Sequence, residues 1–519
     1  MDNKASNIYE MIQTLKLRTV LESVLVGAIT GLIVSLYRLV LKYFGNYGLK
    51  AYEFMATHKT YIILGLIVLL IIGYAVGLIL KHDTMIGGSG IPQIEGLLKG
   101  YFDIKNPVKV LIGKFVGGVL AIGAGLSLGI EGPSIQLGAS AAHIYGNITK
   151  RLKLEKRFLI SAASGAGLAA AFNAPFAGVM FVLEEVHRSF SPILFVSAIS
   201  ACVTSDLVTW IFFGGQPILD VHKLLVLPYQ YYILLIILGI IVGVCGALYN
   251  SILLKTIDIY KKINVSLQVR MMIPFAIVLI FGIYLPEVLG GGNDLINHIL
   301  VDGVILKFAI ILLVGKFILS MTSFASGIPG GILFPLLTLG ALVGAIFGQV
   351  SIGMLGGDSG FIINFILLAM AGMFASIVRA PITGLVLVCE MSGSFTQLGP
   401  LAVVCGVAYL VADLLGSEPV YESLLKLRIV SQKKDNLEKD AGKSVVEYVV
   451  DLGSPIVGKR LKMIKLVDNA LVITIETAGE EIIPNGNTII RAGDTIIALV
   501  DEGDESNLRE QLESLCKLS

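Results

Sequence analysis

Gly129-Ile130-Glu131-Gly132-Pro133, running into the apolar Ser134-Ile135-Gln136-Leu137-Gly138-Ala139, decides how this chain is read. A carboxylate at the mouth of an apolar stretch is costly to strand in a low-dielectric medium, so it must be neutralised, paired or used. Glycines around it let a backbone approach a ligand closely. Pro133 suits the first turn of a helix. The pattern places an ionisable side chain at a helix N-terminus, where free N–H groups and the helix dipole favour an anion. That anion is the carboxylate itself or an ion that replaces it.

The surrounding composition is that of a polytopic membrane protein. Of 519 residues, 55% are hydrophobic and 15% charged, with a mean hydropathy of +0.84. Soluble domains carry about 25% charged residues. Stretches such as Tyr61 to Leu80, Tyr231 to Ala247 and Phe308 to Leu319 are nearly free of charge. The pattern predicts roughly a dozen or more membrane segments between Leu17 and Leu415. Their uneven lengths and 58 glycines suit tilted and half-membrane helices packed closely. Net charge +1 gives no argument for nucleic acid, and none is expected as a partner. The five cysteines (Cys202, Cys245, Cys389, Cys405, Cys516) are scattered and read as small apolar residues rather than disulfides or metal ligands. The polar N-terminus, with Lys4, Lys16 and Arg18, does not read as a cleavable signal peptide.

Basic runs set the topology. They are the N-terminus, Lys150 to Arg157, Lys255 to Arg270, and Lys426 to Lys443. These are expected in the cytoplasm of a plasma-membrane protein. The stretch Glu287 to Asp302 has acids and no Lys or Arg, and is expected outside. Both ends of the membrane domain are then cytoplasmic.

The membrane region repeats itself. Gly113-Lys114-Phe115 recurs 202 positions on as Gly315-Lys316-Phe317. At the same offset Gly129 matches Gly331, Pro133 matches Pro335, and Leu137-Gly138-Ala139 matches Leu339-Gly340-Ala341. A second block, Ala174-Pro175, Gly178 and Glu184, recurs 206 positions on as Ala380-Pro381, Gly384 and Glu390. Such duplication is a transporter signature, with binding at the repeat interface. The expected fold is an all-α polytopic membrane domain (residues 1–425) with broken helices and two repeats, expected to be inverted, over about 20–215 and 229–425. A charged linker (426–442) leads to a small α+β cytoplasmic domain (443–519). There, Val445 to Val450, Ala470 to Thr474 and Thr495 to Val500 read as strands and Asp504 to Leu515 as a closing helix.

Four elements look able to build one anion pathway. They are Gly87-Gly88-Ser89-Gly90-Ile91-Pro92, the Glu131 motif, Gly327-Ile328-Pro329-Gly330-Gly331-Ile332-Leu333-Phe334-Pro335, and Tyr421 in Glu418-Pro419-Val420-Tyr421. Hydroxyls and free amide N–H groups donate without full charge, so they can hold a halide without trapping it. Alone, Ser89 reads as a turn serine and Tyr421 as an interfacial aromatic. Glu184 and Glu390, as repeat mates, favour a structural role such as capping. Glu185 has no mate, since Met391 takes that place, and the asymmetry favours function. Lys114 and Lys316 read as structural cations.

With these motifs in this order, residues 20 to 425 resemble the CLC family of chloride channels and proton-coupled chloride transporters. The third motif stands as Ile-Leu-Phe-Pro where the family more often shows Phe-x-Pro. The resemblance implies that Ser89 and Tyr421 give hydroxyls, and Ile332 and Leu333 amides, to a central chloride. It implies that Glu131 is the gate and a proton carrier, and that Glu185 is the internal proton-transfer acid typical of exchangers. Ser89, where some relatives carry Pro or Asn, implies chloride over nitrate or fluoride. It further implies a homodimer with one pathway per subunit in the lipid bilayer. The segment 443–515, with Ser454 to Leu461, Ile482 to Asn487 and Ala492-Gly493-Asp494, is similar to the RCK-type TrkA-C regulatory module. That likeness implies a small cytoplasmic ligand, with a nucleotide as the candidate; no other cofactor or metal is expected.

The leading expectation is therefore a chloride/proton antiporter, with chloride and protons as substrates. The alternatives are a passive voltage- or pH-gated chloride channel and a component of potassium uptake. The latter is disfavoured by the lack of a Thr-Val-Gly-Tyr-Gly-like filter. No nucleophile–base pair or metal cluster points to an enzyme.

Overall fold

The computed structural model describes residues 2–101, 103–188, 190–219, 221, 224–437, 443–467, 470–477, 480–501 and 504–517. Among these, eight helices are long and apolar enough to cross a membrane. They are Leu17–Thr57, Lys59–His82, Pro192–Phe213, Tyr229–Lys262, Leu267–Tyr284, Leu306–Ala325, Leu333–Leu355 and Ser359–Val378. This is fewer than the sequence pattern predicts, and the reason is burial. Helices such as Glu131–Ile148 and Lys153–Phe172 are walled in by protein over most of their length. They need no lipid-facing hydropathy and are built from Ala, Gly and Ser instead. The five cysteines are free.

The repeats meet at Gly129 and Gly331. Each N–H donates to the other's carbonyl at 2.8 Å in an antiparallel bridge. Reciprocal bonds between repeat-equivalent residues require a local two-fold axis between them. The helices that follow, Glu131–Ile148 and Leu333–Leu355, start with their N-termini facing each other. The repeats are thus inverted. The same symmetry governs the buried lysines. Lys114 Nζ donates to the carbonyls of Ile86 (3.0 Å) and Gly88 (2.6 Å), and Lys316 Nζ to those of Val288 (3.0 Å) and Gly290 (2.7 Å). Both are pins that hold a loop, the structural role expected of them.

Glu184 and Glu390 exchange caps across the same relation. Glu184 accepts from the N–H groups of Ile382 (3.1 Å) and Thr383 (2.7 Å) and from the Thr383 hydroxyl. Glu390 accepts from Phe176 N (3.0 Å) and Ala177 N (2.7 Å). Each carboxylate satisfies first-turn donors of the helix that carries the other. Glu184→Ala is expected to cost about 2 kcal/mol, the scale of losing charge-assisted bonds to part-buried N–H groups. A lowered melting temperature in detergent, with chloride binding retained in the folded fraction, is the check.

After the last apolar helix, Leu398–Leu414, the chain re-enters the core at Val420 and Tyr421, both buried. They open the helix Val420–Leu437. The stretch read as a linker from residue 426 is therefore helical to Leu437, because it continues that helix; 438–442 lie outside the described residues. The C-terminal domain is a four-stranded antiparallel sheet, order β1-β4-β2-β3. Its strands are β1 Lys443–Val449, β2 Leu471–Thr477, β3 Glu480–Ile482 and β4 Thr495–Asp501. The helix Glu505–Cys516 packs Leu508, Leu512 and Cys516 into its core. The three-residue β3 was not legible, being too short to show alternation. The domain docks on the basic run 150–157: Lys153 pairs with Glu447 (2.7 Å) and Glu476 (3.2 Å), and Arg157 with Asp451 (3.4 Å).

Candidate anion and proton pathway

Three of the four expected elements are stitched together by backbone. Gly88 N–H donates to Gly327 O (2.9 Å), and Gly330 N–H to Gly88 O (3.1 Å). Ser89 sits between Gly88 (φ +67) and Gly90 (φ +103), both left-handed, so only glycine allows this turn without strain. A Cβ at Gly132 would lie 2.5 Å from Ser89 Oγ, so the Glu131 motif and the Ser89 loop are in van der Waals contact.

Glu131 is fully buried and is the first residue of its helix. Its Oε1 accepts from Leu333 N at 2.6 Å. Leu333 is the first residue of the facing helix, so the carboxylate occupies a helix N-terminus, as an anion there should. Of the two amides expected to bind an anion, Ile332 and Leu333, it is Leu333's that holds the carboxylate. Glycines frame the group. A Cβ at Gly331 would lie 2.1 Å from Oε1, and one at Gly129 2.0 Å from Oε2.

The remaining polar atoms converge unpaired. Glu131 Oε2, Ser89 Oγ and the Tyr421 hydroxyl are buried without a hydrogen-bond partner. Tyr421 lies within electrostatic reach of Glu131 and Glu185, and its hydroxyl approaches that of Ser89. The structure thus brings Ser89, Glu131, Ile332, Leu333 and Tyr421 together. Two cavities approach them from opposite sides. One, of about 300 Å³, ends at Gly88 and Ser89 and carries Lys261, Arg270 and Arg428, residues of the side assigned to the cytoplasm. The other, of about 790 Å³, ends at Ile130 and Phe334 and carries Arg38, Lys42, Glu287 and Asp294. The Glu131 carboxylate and the two hydroxyls lie between them.

Glu185 is buried in a π-helical turn, Val182–Val186, where an extra residue re-aims a side chain. It does not stand alone. Arg188 Nη2 lies 3.4 Å from Glu185 Oε1 and 3.8 Å from Glu95 Oε1, and Arg188 Nη1 lies 3.0 Å from Glu422 Oε2. Glu95 also pairs with Lys99 at 2.9 Å. Sequence reasoning missed Glu95 and Arg188. Glu95 was findable: it follows Ser89 on the short helix Ile91–Leu98 and is an acid with almost no exposed surface. Tyr37 was missed too. Its buried hydroxyl is unpartnered and near Glu131, but it sits on the first long helix with no motif around it.

Comparison with known proteins agrees with this architecture. The model of the voltage gated chloride channel family matches residues 67–413, and that of the TrkA-C domain residues 445–513. The H(+)/Cl(-) exchange transporter ClcA of Salmonella paratyphi C is 31% identical over 81% of this chain and 91% of its own. The crystal structure of a slow cyanobacterial Cl-/H+ antiporter superposes with a TM-score of 0.76 at 29% identity, covering 80% of this chain and 99% of that one. A CLC-type fluoride/proton antiporter shares the fold at 24% identity, with a TM-score of 0.63 over 78% of this chain and 96% of that one. The chain belongs to the voltage gated chloride channel family, as a multi-pass membrane transporter rather than an enzyme, with a cytoplasmic TrkA-C domain.

Proposed function

We propose that this protein exchanges chloride for protons, with Glu131 as the gate. The observation that carries the reading is the Leu333 N–H bond to the Glu131 carboxylate inside a buried pocket shared with the Ser89 and Tyr421 hydroxyls. Donors that hold a carboxylate there suit a chloride equally well. Ionised, Glu131 fills the anion position. Protonated, it loses its claim on the amide, chloride enters, and the side chain carries a proton outward. Ser89, Tyr421 and the amides of Ile332 and Leu333 would hold the ion. Glu185, buried toward the Arg188 network and within reach of Tyr421, would relay protons from the cytoplasm.

A channel would need no such relay, and the buried Glu185 favours exchange over passive flow. Purified protein in liposomes tests this: a chloride gradient should drive protons uphill. Chloride flux without proton movement in the wild type would make it a channel. Glu185→Gln should cut proton flux to near background while chloride still binds, and an unchanged proton-to-chloride ratio would remove the relay.

Each pathway is enclosed by segments of one chain, so the homodimer we assign would carry two. To the C-terminal domain we assign binding of a small cytoplasmic ligand that biases transport.

A further inference from the structure

The gate has a neighbour that no motif marks. Tyr37, on the helix Leu17–Thr57, is fully buried, and its hydroxyl has no hydrogen-bond partner. Glu131 acts on it electrostatically, and the second oxygen of that carboxylate, Oε2, is unpartnered as well. A buried hydroxyl that forfeits its bonds to water and gains none in return needs a reason to persist.

The internal repeat shows that the missing partner is particular to this place. Tyr37 packs edge-on against Phe115, with ring centroids 5.2 Å apart. Tyr249 stands in the same relation to Phe317, the repeat mate of Phe115, at 6.1 Å. One helical turn on, the repeats diverge: Ser320 stands where the first repeat has Gly118. The Tyr249 hydroxyl lies 3.5 Å from Ser320 Oγ, at the limit of hydrogen-bond range. Gly118 offers Tyr37 no such oxygen. A Cβ there would fall 2.2 Å from the Tyr37 hydroxyl, so the glycine leaves the space that the oxygen fills and gives it nothing to bond.

Tyr37 also lies toward the outer side of the gate. Leu41, one turn further along its helix, lines the outer cavity of about 790 Å³, as do Ile122 and Ile130 of the same apolar cluster. Ile130 directly precedes Glu131.

We propose that the Tyr37 hydroxyl receives the Glu131 carboxyl when it leaves the anion position, and so holds the gate open. The proposal deepens the gate reading and rests on it. In the arrangement seen, Glu131 accepts from Leu333 N–H and Tyr37 is left without a bond. Once protonated and turned outward, the carboxyl donates its O–H to the Tyr37 oxygen or accepts the phenol O–H through its carbonyl oxygen. Only hydrogen bonds change, and the proton stays on Glu131. Tyr37 is then a positioning residue. Tyr249 shares the neighbourhood of Glu131, but its hydroxyl already has Ser320 beside it.

Tyr37→Phe in the full-length protein tests this. Chloride affinity is read by calorimetry at neutral pH, with and without Glu131→Ala. With the gate present, loss of the hydroxyl should weaken chloride binding roughly twofold to tenfold, the scale of one hydrogen bond, because the carboxylate returns more readily to the anion position. In Glu131→Ala the same substitution should change nothing. The melting temperature should hold or rise, since phenylalanine removes an unmet polar group. Unchanged affinity with the gate present would overturn the proposal. So would a comparable loss in Glu131→Ala, which would make the hydroxyl an anion ligand or a packing element instead. A lowered melting temperature would show that the hydroxyl is already satisfied where it stands, with the same consequence. The gate reading has its own outcome: if Glu131→Ala alone fails to tighten chloride binding, that reading falls and takes this one with it. If Glu131→Ala tightens binding and Tyr37→Phe does nothing, only the role of Tyr37 falls.

Discussion

Glu131→Ala is expected to keep chloride flux and lose proton movement altogether. The carboxylate and a chloride would draw on one donor, the Leu333 amide. Two like charges about 4 Å apart repel by roughly 4 kcal/mol at an effective dielectric of 20, a factor of about 10³ in joint occupancy. Simultaneous binding is therefore negligible, and transport must alternate. In the wild type, raising the outer pH ionises the gate and should slow chloride. In the variant that competition is gone, so flux should become independent of pH, and a chloride gradient should no longer lift protons. Paired chloride and proton recordings from the same liposomes read both quantities. Coupled proton movement that survives the substitution would remove Glu131 from the pathway.

The motif residues were legible because their chemistry is local. A glycine-flanked acid before a proline announces a helix N-terminus from sequence alone, and so does Gly331-Ile332-Leu333-Phe334-Pro335. What sequence could not give was which N-terminus holds which anion. Glu131 caps the helix that begins 202 residues later, not its own, and only the two-fold meeting of Gly129 with Gly331 makes that contact. Glu184 and Glu390 show the same limit: their repeat spacing marked them as structural, while their exchange across the axis needed coordinates. Arg188 was invisible because its partners Glu95 and Glu422 are distant in sequence. The helical run to Leu437 was hidden for a different reason. A charged, solvated stretch reads as a linker unless the helix that feeds it is anchored, and the anchor is the burial of Val420 and Tyr421 upstream.

The glycines that frame the gate predict a second large effect, with a built-in control. At Gly129 the three atoms nearest an added Cβ all belong to the Glu131 side chain, at 2.0 to 2.4 Å. At Gly331 it meets Glu131 Oε1 at 2.1 Å and also Gly132 N, a backbone atom, at 3.0 Å. Both substitutions put a methyl group where the anion must sit. Overpacking of this kind costs about 1–3 kcal/mol, or roughly fivefold to a hundredfold or more in chloride affinity. Gly129→Ala and Gly331→Ala should therefore each cut chloride binding and flux, measured by calorimetry and liposome efflux. The two should part company when Glu131→Ala is added. At Gly129 the clash is with a side chain that the second substitution removes, so flux should return toward that of Glu131→Ala. At Gly331 the methyl still presses on Gly132 N, at the tip of the facing helix, and recovery should be smaller. Gly45→Ala, whose Cβ would meet nothing within 4 Å, should leave transport unchanged. Equal rescue at both glycines would mean that the backbone gives way at the two-fold contact. No loss at either would mean that the anion does not pass between them.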